Sequence, residues 1–301
     1  MIPSAEKKIY SPVLDRCPLC ESGKIRKKFT ISSYNDPFSI SDCRACGFIF
    51  MNPPYTPQYI NSLYGRNYYE GESGYVYQDE RLHEKYHSFV WDARLRIIRK
   101  YISEGALLDI GCSFGGFLKR ASRLFDPYGI EISEHSGGEA RKIFGDRVHT
   151  GTLNDHPFGD MKFAAITMIE VLEHMPDPAA AVRECARLTA PGGVLVIQTA
   201  NMSGLQAELL GSRYAYFMPG HLSYFNASNL SAAVKKAGFN KIRIFYPVEF
   251  GLIPKLKKSR MNFNSAADYL KWIRISLYHA AGKIHFKGKA ITSSMVMYAI
   301  K

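Results

Sequence analysis

Apolar positions along the chain fall into two rhythms. Short apolar runs at 106–111, 127–131, 148–150, 163–169, 194–199, 241–246 and 294–300 read as strands. Between them the spacing becomes helical. Leu82, Tyr86, Phe89, Val90, Ala93, Ile97 and Tyr101 make an apolar stripe over 80–102, which predicts a helix covering the start of a sheet. A weaker helix is expected over 134–144, loosened by Gly137-Gly138. Another opens at Asn226-Ala227-Ser228, runs to Ala237 and stops at Gly238. Strands and helices in alternation predict an α/β fold.

The stretch 106–117, ALLDIGCSFGGF, carries the first chemistry. A strand runs into Gly111, Ser113, Gly115 and Gly116, and Phe117, Leu118, Ala121 and Leu124 then follow at helical spacing. A turn of small residues lets a cofactor approach the backbone, and the helix N-terminus behind it offers N–H groups to an anionic group. The second strand ends in Glu131, twenty residues after Gly111. An acid at that distance is placed to hold both hydroxyls of a ribose.

With these features the chain resembles the class I S-adenosylmethionine-dependent methyltransferases. The matching pieces are LDIGCSFGGFL, YGIEIS, ITMIEVLEHMPDP (166–178) and APGGVLVIQT (190–199), which together span roughly 106–246. The resemblance implies a Rossmann-like seven-stranded sheet whose last strand, 294–300, lies antiparallel between the fifth and sixth. It implies S-adenosylmethionine as cofactor, held by Asp109, Gly111, Ser113, Gly115, Glu131, Ile132, Leu153 and Glu170, with Leu153 near the adenine. Ser113 stands where the family more often has glycine.

Cys17-Pro-Leu-Cys20 and Cys43-Arg-Ala-Cys46 are two C-x-x-C pairs separated by twenty-two residues. Each forms a knuckle that points two thiolates at one place, and two knuckles complete a tetrahedron, so Zn2+ is the expected ion. Four sulfur ligands leave no open position, which makes the site structural. A pair of redox dithiols is the alternative reading. Short strands are expected between the pairs, in a small zinc-ribbon-like domain. Cys112 and Cys185 read as small packing residues. The stretch 48–77 is rich in Tyr, Pro, Asn and Gly, and Tyr64, Tyr68 and Tyr69 are candidates either for a lid or for packing between the two units. A similar cysteine pair and tyrosine-rich passage precedes the cofactor fold in related enzymes of sugar, surface-glycan and natural-product modification, sugar C-methyltransferases among them. The expected boundaries are 1–60 for the zinc ribbon, 61–103 for the linker and covering helix, 104–250 for the cofactor domain, and 251–301 for a basic helical insertion and last strand.

Charge sharpens that division. The chain of 301 residues carries a formal net charge of +12. From Lys241 onward Lys and Arg outnumber the two acids, Glu249 and Asp268, by ten, so the rest of the chain is close to neutral. Within 255–289, Tyr269, Leu270, Trp272, Ile273 and Tyr278 lie among Lys271 and Arg274. That composition suits either an interfacial helix on an anionic membrane or a core-packed helix with a solvated basic face. No run approaches the length of a membrane span, and the first ten residues lack an apolar signal core, so a cytoplasmic protein is expected, with the inner membrane face as a candidate location.

In an open α/β sheet the acceptor lies beyond the carboxyl ends of the strands. Candidates there are Glu170, Glu173 and His174, and the segment 214–225 with His221 and Tyr224. His221, Glu170 and Tyr224 are the catalytic candidates. A histidine in that segment is taken as the base in related sugar C-methyltransferases, but here Gly220 replaces the acid before it, and a His221 bonded to a backbone carbonyl is the competing reading. The expected function is methyl transfer to a sugar, a nucleotide-linked sugar or a glycan or lipid-linked intermediate. An RNA methyltransferase gripping phosphates through the ribbon and the basic segment is the alternative. Against it, strand four lacks the N/D-P-P-Y/F stretch of base methylases.

Overall fold

The computed structural model describes residues 9–70, 79–286 and 289–301. Residues 71–77 of the tyrosine-rich stretch lie outside the described residues. The N-terminal part contributes three antiparallel strands, Ile25–Ile31 (β1), Phe38–Cys43 (β2) and Ile49–Met51 (β3), followed by helices Pro57–Leu63 (α1) and Arg66–Glu70 (α2). The covering helix is Glu84–Ile98 (α3), shorter than the stripe predicts. Asp79 caps a separate 3₁₀ turn over Glu80–His83, so Leu82 leaves the stripe and is exposed.

The α/β part runs Ala106–Ile110 (β4), Gly116–Ala121 (α4), Asp126–Glu131 (β5), Glu134–Phe144 (α5), Val148–Thr150 (β6), Phe163–Ile169 (β7), Pro178–Leu188 (α6) and Thr189–Ala200 (β8). Leu205–Leu210 (α7), Ser223–Tyr224 (β9), Ala227–Lys236 (α8) and Lys241–Phe245 (β10) follow. The basic insertion forms Leu252–Ser259 (α9), Tyr269–Ala281 (α10) and a small hairpin of His285–Phe286 (β11) with Lys289–Ala290 (β12). Ser294–Ile300 (β13) closes the chain's last pairing. The large sheet has the order β10-β13-β8-β7-β4-β5-β6, with β13 antiparallel between β8 and β10 as expected.

Alternation along the strands builds a core on both faces. Leu107, Val194, Val196 and Val296 pack with Leu95 and Ile98 of α3 and with Phe117 and Leu118 of α4. Their neighbours Leu108, Leu195, Ile197 and Met297 face Val182 and Cys185 of α6 and Leu230 and Val234 of α8. Such period-two division is what a strand buried on both sides requires. Local signals fix the helix starts. Asp177 accepts from the Ala180 N–H at 2.8 Å ahead of Pro178, and Asn226 and Asn229 cap each other reciprocally. The glycine pair does not loosen α5: a Cβ on Gly137 would stand 3.0 Å from Thr150 Oγ1 and 3.2 Å from Glu131 Cβ, so the residue lets the helix lie close on β5 and β6. Strand β8 starts earlier than 194 because Thr189 pairs with Phe163, and a register shift before Ala165 absorbs Pro191-Gly192-Gly193.

The N-terminal sheet takes a fourth strand from the other end of the molecule. Its order is β1-β2-β3-β9, with Ile49 opposite Tyr224 and Phe50 opposite Ser223. Phe48 and Phe50 meet Phe225 and the α6/α8 side of the core, while Phe38, Ile40 and Tyr55 pack with Tyr214, Phe217 and Tyr224. The cysteine unit and the sheet domain therefore share one continuous interior.

Candidate active site and four-cysteine site

The cofactor half of the carboxyl edge lies over β4 and β5. Gly111 follows β4 with φ +79°, a backbone state costly for a side chain, and Ser113 comes next but one at φ +51°. Glu131 ends β5 and is 5% exposed. Its carboxylate accepts from the Ser113 N–H at 2.8 Å and the Ser133 N–H at 2.9 Å, so it braces the turn as well as facing the site. The Ser136 hydroxyl and the Ile132 N–H add to these donors, so the carboxylate is held in place as an acceptor facing the turn. Burial raises its pKa, and these backbone donors pull it back down. Around it, Ser113 Oγ, Thr150 Oγ1 and the Tyr64 hydroxyl are buried without a hydrogen-bond partner among the described residues. Buried hydroxyls of this kind mark a polar cradle suited to a ligand rich in donors and acceptors. Asp109 sits below the turn, accepting from Thr167 Oγ1 at 2.6 Å; burial pushes its carboxyl up to about 8. Ile132 is half-buried beyond Glu131, and Leu153 is buried after β6. Tyr69 packs edge-on against Phe114 of the turn and bonds Ser136 at 2.9 Å, and Tyr64 stands edge-on to His174. The two tyrosines thus pack over the glycine turn and over the loop after β7.

Strand β7 separates this half from a second one. Glu170, the first residue after it, has φ +59°. Non-glycine residues rarely hold that conformation, and they do so chiefly where a site needs the side chain aimed. Its Oε1 accepts from Gln198 Nε2 at 2.8 Å; Arg94 in turn donates to Gln198 Oε1 and, at 2.6 Å, to Glu249 Oε1. This buried chain from α3 through β8 fixes the Glu170 carboxylate. Glu170 and Gln198 then line a cavity of about 410 Å³ with Tyr216, Lys255, Lys258 and Tyr278. The cavity lies where β7, β8 and β10 end and β13 begins, roofed by α9 and α10.

The loop after β8 departs from expectation. His221 is 5% exposed, and its Nδ1 lies 2.9 Å from the Tyr216 carbonyl, so Nδ1 carries the proton and donates. Burial, aided by His174, lowers its pKa to about 3. Its ring lies 5.3 Å from that of Tyr216, which lines the cavity, whereas His221 is not among the lining residues. His174 Nδ1 likewise donates to the Gly220 carbonyl at 2.8 Å. Glu173, His174 and His221 bring their ligating atoms within 4.8 Å of one another, and burial lifts Glu173 to about 8. Tyr224 corrects the expectation most directly. It is 1% exposed, donates its hydroxyl to the His221 carbonyl at 2.8 Å, and belongs to the N-terminal sheet, because β9 pairing turns its ring into that sheet's core. Sequence reasoning missed Arg94 and Gln198. Each is a polar residue inside an apolar run (Arg94 four residues after Val90, Gln198 within VLVIQT), and that was the available signal.

The four cysteines converge. Cys17 and Cys46 sulfurs lie 3.8 Å apart and Cys20 and Cys43 sulfurs 3.6 Å apart, with all four within 4.8 Å. A tetrahedron of metal–sulfur bonds near 2.3 Å has edges of about 3.8 Å. The amides of Leu19 and Cys20 point at Cys17, and those of Ala45 and Cys46 at Cys43, as in a metal knuckle. Gly47 makes the turn beneath at φ +70°. Cys112 and Cys185 are buried packing residues.

A family model described as a methyltransferase domain matches residues 81–244. The ubiquinone biosynthesis O-methyltransferase of Alkalilimnicola ehrlichii is 34% identical over 120 residues, covering 36% of this chain and 47% of that protein. The one from Methylococcus capsulatus is 32% identical over 151 residues, covering 44% and 62%. The chain thus spans about half to two thirds of the length of these two relatives. Phosphoethanolamine N-methyltransferase 2 of Haemonchus contortus, solved with S-adenosyl-L-methionine, superposes with a TM-score of 0.53 at 16% identity, over 91% of this chain and 71% of that one, and so shares the fold. The cradle around Glu131 fits that cofactor: a buried carboxylate at the strand end, orphaned hydroxyls beside it, and a glycine turn that admits the group. Since one continuous family match takes in the turn, Glu131 and Glu170 and covers more than half of the chain, the chain belongs to the class I S-adenosylmethionine-dependent methyltransferases.

Proposed function

We propose that the protein methylates a small molecule, a sugar, nucleotide-linked sugar or glycan or lipid-linked intermediate, seated in the cavity beside Glu170. The observation that carries this is Glu170 itself. It stands at the seam between the cofactor cradle and the cavity, held in a strained backbone state by the Arg94–Gln198 chain. S-adenosylmethionine, when bound, supplies a methyl group already activated on sulfur. What remains for the protein is to orient the acceptor and receive its proton. Glu170 is the group proposed for the proton, in place of His221, which becomes the residue that positions Tyr216. Glu131 and Ser113 hold the ribose side. The curated relatives are named for O-methylation, which supports transfer to oxygen. The cysteine cluster is proposed to hold one structural Zn2+.

A second feature supports a peripheral site of action. Leu270, Ile273 and Leu277 project from α10 into solvent beside Lys271 and Arg274, a face suited to an anionic lipid surface. Among the described residues no helix is long and apolar enough to cross a membrane. RNA binding is less supported, since Lys255 and Lys258 turn into the cavity. The test is incubation of the purified protein with S-adenosylmethionine and nucleotide-sugar pools, read by mass spectrometry for a 14-dalton gain that disappears in Glu170→Gln. Metal analysis of the same protein is expected to give about one zinc per chain. No gain on any pool with bound S-adenosylhomocysteine would sink the acceptor class.

A further inference from the structure

We propose that Lys255 and Lys258 form an anion subsite in the cavity, which holds a phosphate or carboxylate of the acceptor. The proposal rests on the reading of this cavity as the acceptor site. The two lysines are three residues apart on α9, so they share one face of the helix. That face turns inward, because α9 packs against α3 on one side and α10 on the other. Both side chains are half-buried, and both line the cavity.

Two ammonium groups lining one cavity are costly. Each loses hydration, and each repels the other. Proteins ordinarily offset this with carboxylates, yet here the nearby acids are committed elsewhere. Glu249 is locked to Arg94 at 2.6 Å, and Glu170 is bonded by Gln198 at the sheet edge. Among the described residues neither lysine makes an ion pair. Burial, then Lys255, lowers Lys258 to about 8, so it still carries its proton for most of the time at neutral pH. Glu170 acts in the opposite direction on Lys255.

Hydrogen-bonding groups surround the pair. Tyr278 and Ser293 bond each other at 3.2 Å, and Ser294 and His279 complete the polar wall. A bound anion would take the place of the missing carboxylates and would fix the acceptor's far end while its reacting atom faces Glu170. The subsite thereby sets which acceptors are taken: neutral analogues lose the contact.

The test uses the full chain saturated with S-adenosylhomocysteine at low salt, titrated calorimetrically with inorganic pyrophosphate and separately with succinate. Expected is binding of at least one anion by the wild type, weakened tenfold or more in Lys255→Met/Lys258→Met and largely recovered in Lys255→Arg/Lys258→Arg. Uptake of pyrophosphate alone identifies phosphate as the group; uptake of succinate alone identifies carboxylate. If the wild type binds neither, or the methionine pair binds as well as the wild type, the subsite does not exist. Should the double variant fail to fold, Lys258→Met alone is read by the same criterion. S-adenosylhomocysteine affinity, measured first in each protein, separates the two readings: its absence in the wild type refutes the methyltransferase reading, whereas its presence with no anion effect refutes only the subsite.

Discussion

The two halves of the sheet's carboxyl edge are built from different materials. The cofactor half is largely main chain: a glycine turn, the amides of Ser113 and Ser133, and one carboxylate that receives them, all within about twenty-five residues. The half proposed for the acceptor is side chains drawn from Arg94 to Ser294, brought by several elements far apart in the chain. A backbone cradle tolerates substitution wherever no Cβ intrudes and serves an invariant ligand. A side-chain cavity changes its ligand with single replacements. This contrast explains why such a fold keeps one cofactor and takes many acceptors.

The largest expected separation comes from Arg94→Met. It strands Glu249, whose side chain is fully buried, without its cation and should cost about 3–5 kcal/mol of stability. Chemical denaturation reads that loss, and adding Glu249→Gln should recover most of it. Cofactor affinity per folded molecule should stay within about threefold, since the cradle lies on other elements. Equal damage to both halves would erase the contrast. Glu131→Ala is the converse. It should weaken S-adenosylhomocysteine binding by about 2–4 kcal/mol in calorimetry, with anion uptake by the cavity retained.

The smallest effect sharpens the placing of His221. Folded, it holds fewer protons than unfolded between pH 6.5 and about 3, so stability is lost as pH falls through that window. Asp109 and Glu173, both raised to about 8, act oppositely: each keeps a proton in the folded state, and its stability contribution falls as pH rises from the ordinary carboxylate range to 8. The histidine is therefore isolated by difference. His221→Asn keeps a donor for Tyr216 and should shed ~1–2 kcal/mol of the acid destabilisation at pH 5. Identical acid limbs for variant and wild type would mean that His221 titrates in the folded protein as an exposed base does.

Legibility in the sequence follows the same division. The turn, Glu131 and the cysteine knuckles are local patterns, and each sits in the structure where its spacing put it; the seven-strand order is legible only through the resemblance to the family. The acceptor half is nonlocal. Nothing in the run LIPKLKKS tells that Lys255 and Lys258 face inward, because that depends on α3 and α10 flanking the helix. His221 and Tyr224 were placed at the site by position in the chain. A two-residue pairing with β3 instead drew that loop into the other sheet, and two residues are too few to leave a periodic signature.

That pairing also orders events during synthesis. The four clustered cysteines lie between Cys17 and Cys46, so the proposed metal could gather them as soon as the β1–β2 hairpin clears the ribosome. The outer edge of β3 has no partner until β9 emerges about 170 residues later, roughly ten to thirty seconds at ordinary elongation rates. For that interval the nascent chain carries an open strand edge beside Phe48 and Phe50, apolar rings that end up fully buried. The proposed metal, holding the hairpin rigid while it waits, would give the four cysteines a task complete before any substrate is met.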